Sequence, residues 1–201
     1  MARPKSFDVD EVLEQAATLF WNQGYEATSM RDLENELGVG RQSLYDTFGD
    51  KRSLFLKALE RYAKDGESFW AGMEGPDAGL AELRTWFDAL VDHAGRDGRR
   101  AGCFVVNTVA ELGDQDEGAN AICRRSRETL AKRFRNVLEN AVRRDELPSP
   151  ADLGAAADFL VAQTYGVLLM GKNGAARDRL RAATAQALRA VGVGSGLKTC
   201  S

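Results

Sequence analysis

Histidine is nearly absent from this sequence of 201 residues, which contains only His93. No Ser–His–Asp set, metal-ligand spacing or glycine-rich phosphate motif accompanies it. His93 follows Asp92 at the end of an apolar helical pattern, where a surface role is expected ahead of ligand contact. We therefore expect no enzyme activity, no catalytic residue, no bound metal and no cofactor.

Cysteine and long apolar runs are also scarce. The three cysteines are an odd number at no metal-ligand spacing, which argues against the disulfide framework of a secreted protein. No run approaches the roughly 18 apolar residues of a membrane span, and the N-terminal Met-Ala-Arg-Pro-Lys-Ser lacks the apolar core of a secretory signal. We expect a cytoplasmic protein that does not associate with a membrane.

An excess of positive charge is missing as well. The net charge is −3, and residues 1–64 hold 9 Lys and Arg against 11 Asp and Glu. A nucleic-acid-binding domain is usually basic, so composition alone leaves room for a helical hydrophobe-binding protein without DNA-binding activity. With 44% hydrophobic and 28% charged residues, the chain has the composition of an ordinary soluble protein.

Residues 28–52 nevertheless contain a clear pattern. Thr28 or Ser29 can cap a short amphipathic helix that ends at Leu37, and the glycines at 38 and 40 allow a tight turn around an apolar valine. A second short helix follows at 41–48. Two short helices joined by such a turn form a helix-turn-helix, whose second helix can enter the major groove of DNA.

This pattern resembles a known family. The string Leu37-Gly-Val-Gly-Arg-Gln-Ser-Leu-Tyr-Asp-Thr-Phe-Gly-Asp-Lys51 is similar to the signature of the TetR family of bacterial transcriptional regulators. The segment 8–24 resembles the helix that precedes it. Gly40 stands where the family often has serine, and Asp46-Thr47 replaces the usual histidine or aromatic residues. The resemblance implies an all-α protein with an N-terminal helix-turn-helix domain and a C-terminal domain for ligand sensing and dimerisation.

The polar residues of the second helix and its surroundings are the candidate DNA contacts. The first turn of a recognition helix reaches base edges, and a cationic helix start can hold a phosphate. We expect base contacts from Arg41, Gln42 and Ser43, and phosphate contacts from Tyr45, Lys51 and Thr28. Arg3 and Lys5 lie on an arm that either contacts DNA or is a solvated terminus.

The rest of the chain reads as helices. Asp8 and Glu11 form a capping box for the first of them. Beyond the second helix, the periodicity predicts helices at 51–71, 80–94, 102–112, 118–147, 151–173 and 175–191. The segment 102–112 contains three valines, but no partner strand exists anywhere in the chain, so we expect a helix there.

We divide the chain into a DNA-binding domain at 1–50, an effector-binding and dimerisation domain at 51–191, and a disordered tail at 192–201. The last two helices carry more apolar surface than one protomer is expected to cover. They predict a four-helix interface of a homodimer, with an intramolecular helical hairpin as the alternative.

Two sensing mechanisms are visible in the second domain. The first is an apolar pocket, because the resemblance implies small, largely apolar effectors; the alternative is that its residues are core. The second is a reactive thiol at Cys103, since a helix N-terminus and the preceding arginines favour a thiolate there. The alternative is that Cys103 is a small core residue. Cys123 is a possible resolving partner for a disulfide. The effector candidates are Trp70, Trp86, Phe87, Cys103, Phe104, Phe134, Tyr165 and Met170.

These observations predict a one-component regulator, with repression as the expected output. As a dimer it binds a palindromic double-stranded DNA operator, and a small hydrophobic or electrophilic effector releases it. The alternative remains the hydrophobe-binding protein named above.

Overall fold

The computed structural model describes residues 7–95, 102–148 and 152–192, with the side chains of residues 67, 68, 70 and 71 excepted. The described residues form nine α-helices, one 3-10 helix and no strand, which confirms the all-α prediction, including a helix rather than a strand at the three valines. The helices are α1 Val9–Gln23, α2 Met30–Leu37, α3 Arg41–Phe48, α4 Lys51–Asp65, α5 Leu80–Ala94, α6 Phe104–Leu112, α7 Glu117–Arg143, α8 Leu153–Lys172 and α9 Arg177–Ala190.

The first helix begins at its expected cap. The carboxylate of Asp8 accepts hydrogen bonds from the backbone N–H groups of Asp10 and Glu11, at 2.8 and 3.2 Å. The side chain of Glu11 accepts a hydrogen bond from Gln15 at 3.4 Å. Asp8 therefore caps α1, and the Glu11 side chain supports the first turns of the helix.

The two short helices have the bounds that the sequence predicts. Ser29 caps α2 in a capping box with Asp32, and this pairing holds the pKa of the Asp32 carboxyl below its usual value. Gly38 ends the helix with φ at 62°, a left-handed conformation that costs glycine little. Val39 is buried in the turn before α3. The helix-turn-helix predicted from the sequence is confirmed.

The fourth helix is shorter than predicted. It ends at Asp65, and the chain continues as a 3-10 helix at Gly66–Met73, where the sequence predicted an α-helix to residue 71. Both kinds of helix place apolar residues every three to four positions, so the pattern cannot separate them. The prediction for this segment is wrong in helix type but right in its helical character.

The chain divides into two compact units, and the first comprises residues up to Gly66 together with Cys103–Arg124. Here α1 packs against α2, α4 and α6, so that one apolar core supports the helix-turn-helix. The core residues with the least exposed surface are Ala16, Phe20, Leu33, Leu44, Leu54, Phe55, Ala58, Leu59 and Ala119. Burial of these side chains, at about 1.5–3 kcal/mol for each large one, fixes the position of α3.

The second unit comprises residues 67–102 and 125–201, and its helices α8 and α9 both pack against α5. Asn140, on α7, donates hydrogen bonds to the carbonyl oxygens of Ala78 at 2.9 Å and Gly75 at 3.4 Å, which ties down the turn before α5. α7 ends at Arg143, short of the predicted 147, because Asp145 adopts φ of 55°. A left-handed residue cannot continue a right-handed helix.

One helix of the described residues, α8, is long and apolar enough to cross a membrane by length and composition alone. α8 is interrupted by Asp158 and Gln163, so it is not the continuous apolar run of about 18 residues that the sequence was expected to lack. α8 packs against α5 and α9, and its Gly171 lies so close to Ala94 that a Cβ there would collide with the Ala94 backbone. Such close helix packing is typical of the core of a helical domain.

The boundaries of the units do not test the functional division into 1–50 and 51–191, which remains a prediction. The predicted tail at 192–201 lies outside the described residues from position 193 onward. The same holds for the N-terminal arm with Arg3 and Lys5.

Candidate nucleic-acid interface

The exposed side of α3 carries polar residues at helical spacing. Leu44 and Phe48 are buried, whereas Arg41, Gln42, Tyr45 and Asp46 are exposed. Arg41, Gln42 and Ser43 lie on the first turn, as the sequence predicts, with Ser43 half-buried. A short helix that shows its polar side and the start of its first turn has the form of a recognition helix.

The four exposed side chains are paired along the helix. The guanidinium of Arg41 lies 5.7 Å from the centre of the Tyr45 ring and donates to its hydroxyl at 3.5 Å. Gln42 Nε2 donates to Asp46 Oδ1 at 2.8 Å. Each pair spans four residues, the spacing at which side chains on one helix meet. Asp46 is thus part of the exposed face, although it is not among the DNA contacts predicted from the sequence.

The Lys51 side chain makes hydrogen bonds within the protein that the sequence did not predict. Its ammonium group donates to the carbonyl oxygens of Tyr25 and Thr28, both at 2.8 Å, and lies 4.3 Å from the centre of the Tyr25 ring. An ammonium has three N–H donors, so one remains beyond these two hydrogen bonds. Lys51 therefore holds the connection between α1 and α2, and a phosphate contact would have to use the third donor.

Thr28 has no exposed surface, and its hydroxyl donates to the Gly24 carbonyl oxygen at 2.6 Å. The predicted phosphate contact would require the Thr28 side chain to leave this buried position. Its observed role is to close the turn between α1 and α2.

Glu111, at the end of α6, binds the same connection from the other side. Its two carboxylate oxygens accept the backbone N–H groups of Tyr25 at 3.0 Å and Glu26 at 2.9 Å. A Cβ on Gly24 would lie 2.8 and 2.9 Å from these oxygens, so a larger residue there would force the Glu111 side chain to shift. We call Glu111 and these two N–H groups the α6 clamp.

Arg52 and Asp116 form a second link within this unit. The guanidinium donates to both carboxylate oxygens, at 2.5 and 2.9 Å, and lowers the pKa of Asp116. Asp116 also accepts from the Ala119 backbone N–H at the start of α7. At the same end of α4, Asp50 caps the helix, and hydrogen bonds from Ser53 hold its pKa below the usual value. Nothing in the local sequence identifies Asp116 as the partner of Arg52.

Two family models match two different parts of the chain. Residues 12–58 match the family described as "Bacterial regulatory proteins, tetR family", and residues 79–187, more than half of the chain, match "Tetracyclin repressor-like, C-terminal domain". The chain belongs to the TetR family. It is therefore a transcriptional regulator of the TetR type and not an enzyme.

Relatives of the TetR family match nearly the whole chain. The transcriptional regulator YezE of Bacillus subtilis (strain 168) is 34% identical over 184 residues, which are 90% of this chain and 94% of that protein. The transcriptional repressor ComR of Escherichia coli (strain K12) is 32% identical over 193 residues, 93% of this chain and 90% of that protein.

Solved TetR-family structures share the fold. A cysteine variant of the regulator CifR, complexed with 26 bp of double-stranded operator DNA, superposes with a TM-score of 0.82 at 27% identity and covers 94% of this chain and 100% of that one. Reduced NemR of Escherichia coli superposes with a TM-score of 0.81 at 19% identity, covering 92% and 96%, which shows the fold alone.

The predicted effector residues of this TetR-family chain fall into separate groups. Trp86, Phe87 and Phe134 form one buried cluster in the second unit, with ring centres 4.9 to 5.9 Å apart. Tyr165 is half-buried and Met170 is exposed, both on α8. The Trp70 side chain lies outside the described residues.

Phe104 and Cys103 belong to the first unit. Phe104 packs edge-on against Phe55 and Tyr62, with ring centres 5.7 and 5.6 Å apart. Cys103 occupies the cap position of α6, and its sulfur accepts a hydrogen bond from the Tyr62 hydroxyl.

The thiolate predicted for Cys103 is not favoured by these surroundings. Burial raises the pKa of the Cys103 thiol, although hydrogen bonds from the Val106 backbone and from Tyr62 oppose part of this rise. Burial also raises the pKa of Cys123 to about 11, and its thiol donates to the Val105 carbonyl oxygen at 3.7 Å. The arginines expected to activate Cys103 lie outside the described residues. Burial therefore favours the neutral form of both thiols.

Proposed function

We propose that this TetR-family regulator is a dimeric repressor that binds a palindromic operator through α3. A small apolar effector releases it. The exposed polar face of α3, held on a buried core, is the observation that carries this proposal. Relatives support it, because ComR is described as a repressor and CifR is complexed with operator DNA.

In this proposal Arg41, Gln42 and Ser43 contact base edges, because they occupy the first turn of the recognition helix. Tyr45 and the third donor of Lys51 contact phosphates. Residues 1–64 hold 9 Lys and Arg against 11 Asp and Glu, so we expect few phosphate contacts. The logarithm of the affinity falls with the logarithm of the salt concentration by roughly 0.9 per phosphate contact, so the salt dependence of binding should be shallow.

The homodimer forms through α8 and α9. Phe159, Leu169 and Met170 are large apolar side chains of α8 that lie between 38 and 44% exposed. On the same helix, a Cβ on Gly166 would have no side chain of a non-adjacent residue and no atom of a neighbouring element within 4 Å among the described residues. An exposed apolar face with an open glycine can receive the helix of a second copy at short range. Two copies would then place two α3 helices on one duplex.

Repression follows from occupancy of the operator. Two half-sites one helical turn apart require the recognition helices about 34–36 Å from each other. An effector that binds more tightly to a dimer with a different spacing of the two α3 helices shifts the population toward that dimer and weakens operator binding. The cluster of Trp86, Phe87 and Phe134 is the apolar surface beside which we place this effector. The aromatic side chains of this cluster suit an organic compound, and the described residues contain no cluster of metal ligands. We place this sensor in the cytoplasm.

A mobility-shift titration tests the DNA-binding part. The full chain should bind duplex DNA from the region upstream of its own gene more tightly than a scrambled duplex of equal length. Arg41→Ala should weaken this preference, whereas Arg135→Ala, an exposed arginine of α7 paired with Glu139, should not. Failure of the wild type to bind either duplex would favour the hydrophobe-binding alternative, whereas equal binding of both would contradict sequence-specific recognition of this region.

Sedimentation tests the dimer. Leu169→Glu places a charge on the apolar face of α8 and should shift the protein from dimer to monomer, while Thr85→Glu makes the same change of charge at an exposed position of α5 and should leave the dimer intact. A dimer that survives Leu169→Glu would move the interface elsewhere.

A release screen tests the effector. Small apolar compounds and electrophiles are added to the protein–DNA complex of the wild type and of Cys103→Ser. We expect apolar compounds to release both proteins equally, because burial raises the pKa of the Cys103 thiol and so disfavours the reactive thiolate. Release of the wild type alone by electrophiles would instead identify Cys103 as the sensor.

A further inference from the structure

The carboxylate of Asp46 is an unusual feature of a surface that meets DNA. It lies on the exposed face of α3, and its Oδ1 accepts the hydrogen bond from Gln42 Nε2 at 2.8 Å. A negative charge beside phosphates lowers affinity, so its presence on this face calls for a compensating role.

The hydrogen bond determines which way the Gln42 amide points. A side-chain amide has one carbonyl oxygen and two N–H donors, and the two ends are interchangeable in shape. An ionised carboxylate is an acceptor only, so Asp46 can bind the nitrogen end but not the oxygen end. Gln42 is left with its carbonyl oxygen and one N–H, in a fixed arrangement.

The remaining carbonyl oxygen and N–H of Gln42 match the major-groove edge of one base. In the major groove adenine presents a donor at N6 and an acceptor at N7, and an amide binds both at once through its oxygen and one N–H. Guanine presents two acceptors, N7 and O6, which an amide held in this way cannot satisfy. We propose that Asp46 is a specificity-determining positioning residue that fixes Gln42 for the reading of adenine. This inference rests on the proposed function of α3.

Asp46 should increase the preference for adenine but decrease the overall affinity for DNA, so its role can be measured. Removing the carboxylate frees the Gln42 amide to rotate, so adenine is no longer distinguished from guanine. It also removes a negative charge, so binding to any duplex becomes tighter. A residue with a merely structural role would weaken binding and leave base preference unchanged.

The first stage of the experiment tests DNA recognition itself. The full-length wild type selects duplexes from a random pool, and an enriched palindromic sequence is expected. Failure to enrich any sequence contradicts the proposed function, whatever the role of Asp46.

The second stage measures affinities for duplexes in which each enriched A·T pair is replaced by G·C. The wild type should prefer adenine at one position of each half-site by roughly 5- to 150-fold. Gln42→Ala and Asp46→Ala should both reduce this ratio at the same position to about threefold or less. Asp46→Ala should bind a non-specific duplex more tightly than the wild type, which also shows that the variant is folded. Glu36→Ala makes the same change of charge on an exposed position of α2 and should keep the adenine preference.

Two results overturn the inference. Asp46→Ala could keep the adenine preference that Gln42→Ala loses, which would make the amide orientation independent of Asp46. Alternatively, Asp46→Ala could lose a preference for cytosine, which would mean that the carboxylate accepts directly from the cytosine amino group.

Discussion

Replacing Glu111 with glutamine tests whether the α6 clamp stabilises the unit that presents α3. The carboxylate now accepts two backbone N–H groups, at 3.0 and 2.9 Å. Glutamine keeps one acceptor oxygen but turns an N–H toward the other donor, so one hydrogen bond is lost and the other becomes neutral. Hydrogen bonds to charged groups contribute about 1.5–3 kcal/mol and neutral ones about 0.5–1.5 kcal/mol.

Because Glu111 is exposed, water replaces part of what is lost, and we expect Glu111→Gln to lower the free energy of unfolding by about 1–2 kcal/mol. For a chain of this length that corresponds to a fall in Tm of about 2–8 °C. Urea denaturation followed by circular dichroism measures the difference. The control is Glu128→Gln, which removes only an exposed ion pair with Arg127 and should change stability by less than about 0.5 kcal/mol.

Equal stability of Glu111→Gln and Glu128→Gln would refute the reasoning. Amide hydrogen exchange gives a second reading, because the N–H groups of Tyr25 and Glu26 should exchange faster in Glu111→Gln only. Unchanged protection of these two amides would show that water serves them as well as the carboxylate does.

Three further predictions concern the same unit. Lys51→Met keeps the side-chain stem but loses two hydrogen bonds, so the free energy of unfolding in urea should fall by about 1–2 kcal/mol. The slope of the logarithm of DNA affinity against the logarithm of salt concentration should flatten by about one unit, and an unchanged slope would exclude a phosphate contact. Gly24→Ala should destabilise by about 1–3 kcal/mol in the same titration, because φ is 90° and the added Cβ meets Glu111; a neutral effect would contradict the close approach. The pKa of Asp50 is depressed in the folded state, so its contribution to stability is present above its ordinary pKa of about 3.9 and is lost as pH falls through the folded value. Asp50→Asn should therefore reduce the loss of stability between pH 5 and pH 2, and an unchanged pH profile would contradict this.

Local patterns predicted much of the fold. The bounds of α3 and α5, and the end of α2, follow from glycines, capping residues and apolar spacing that lie within a few positions of one another. The end of α4 could not be predicted in the same way, because the change to a 3-10 helix at Gly66 leaves the apolar spacing intact. Where the signal is local, the prediction is accurate; where two geometries share a pattern, it is not.

The candidate site was predictable only in part. The exposed residues of α3 follow from helical periodicity, but Glu111 lies 85 and 86 positions from the amides that it binds. Contacts at such separations depend on how helices pack. Lys51 illustrates the limit, since its position at a helix start suggested a phosphate contact while its observed hydrogen bonds are to carbonyl oxygens. Asp46 carried a usable signal, an acidic residue four positions after Gln42.

The negative charge of Asp46 also bears on how the protein finds its operator in a genome. Residues 1–64 carry a net charge of −2, so non-specific duplex attracts this domain weakly. Weak attraction shortens each stay on the millions of competing sites and leaves more copies free to search. With the function proposed above, such a regulator loses absolute affinity but keeps a larger fraction of its copies available for its specific site.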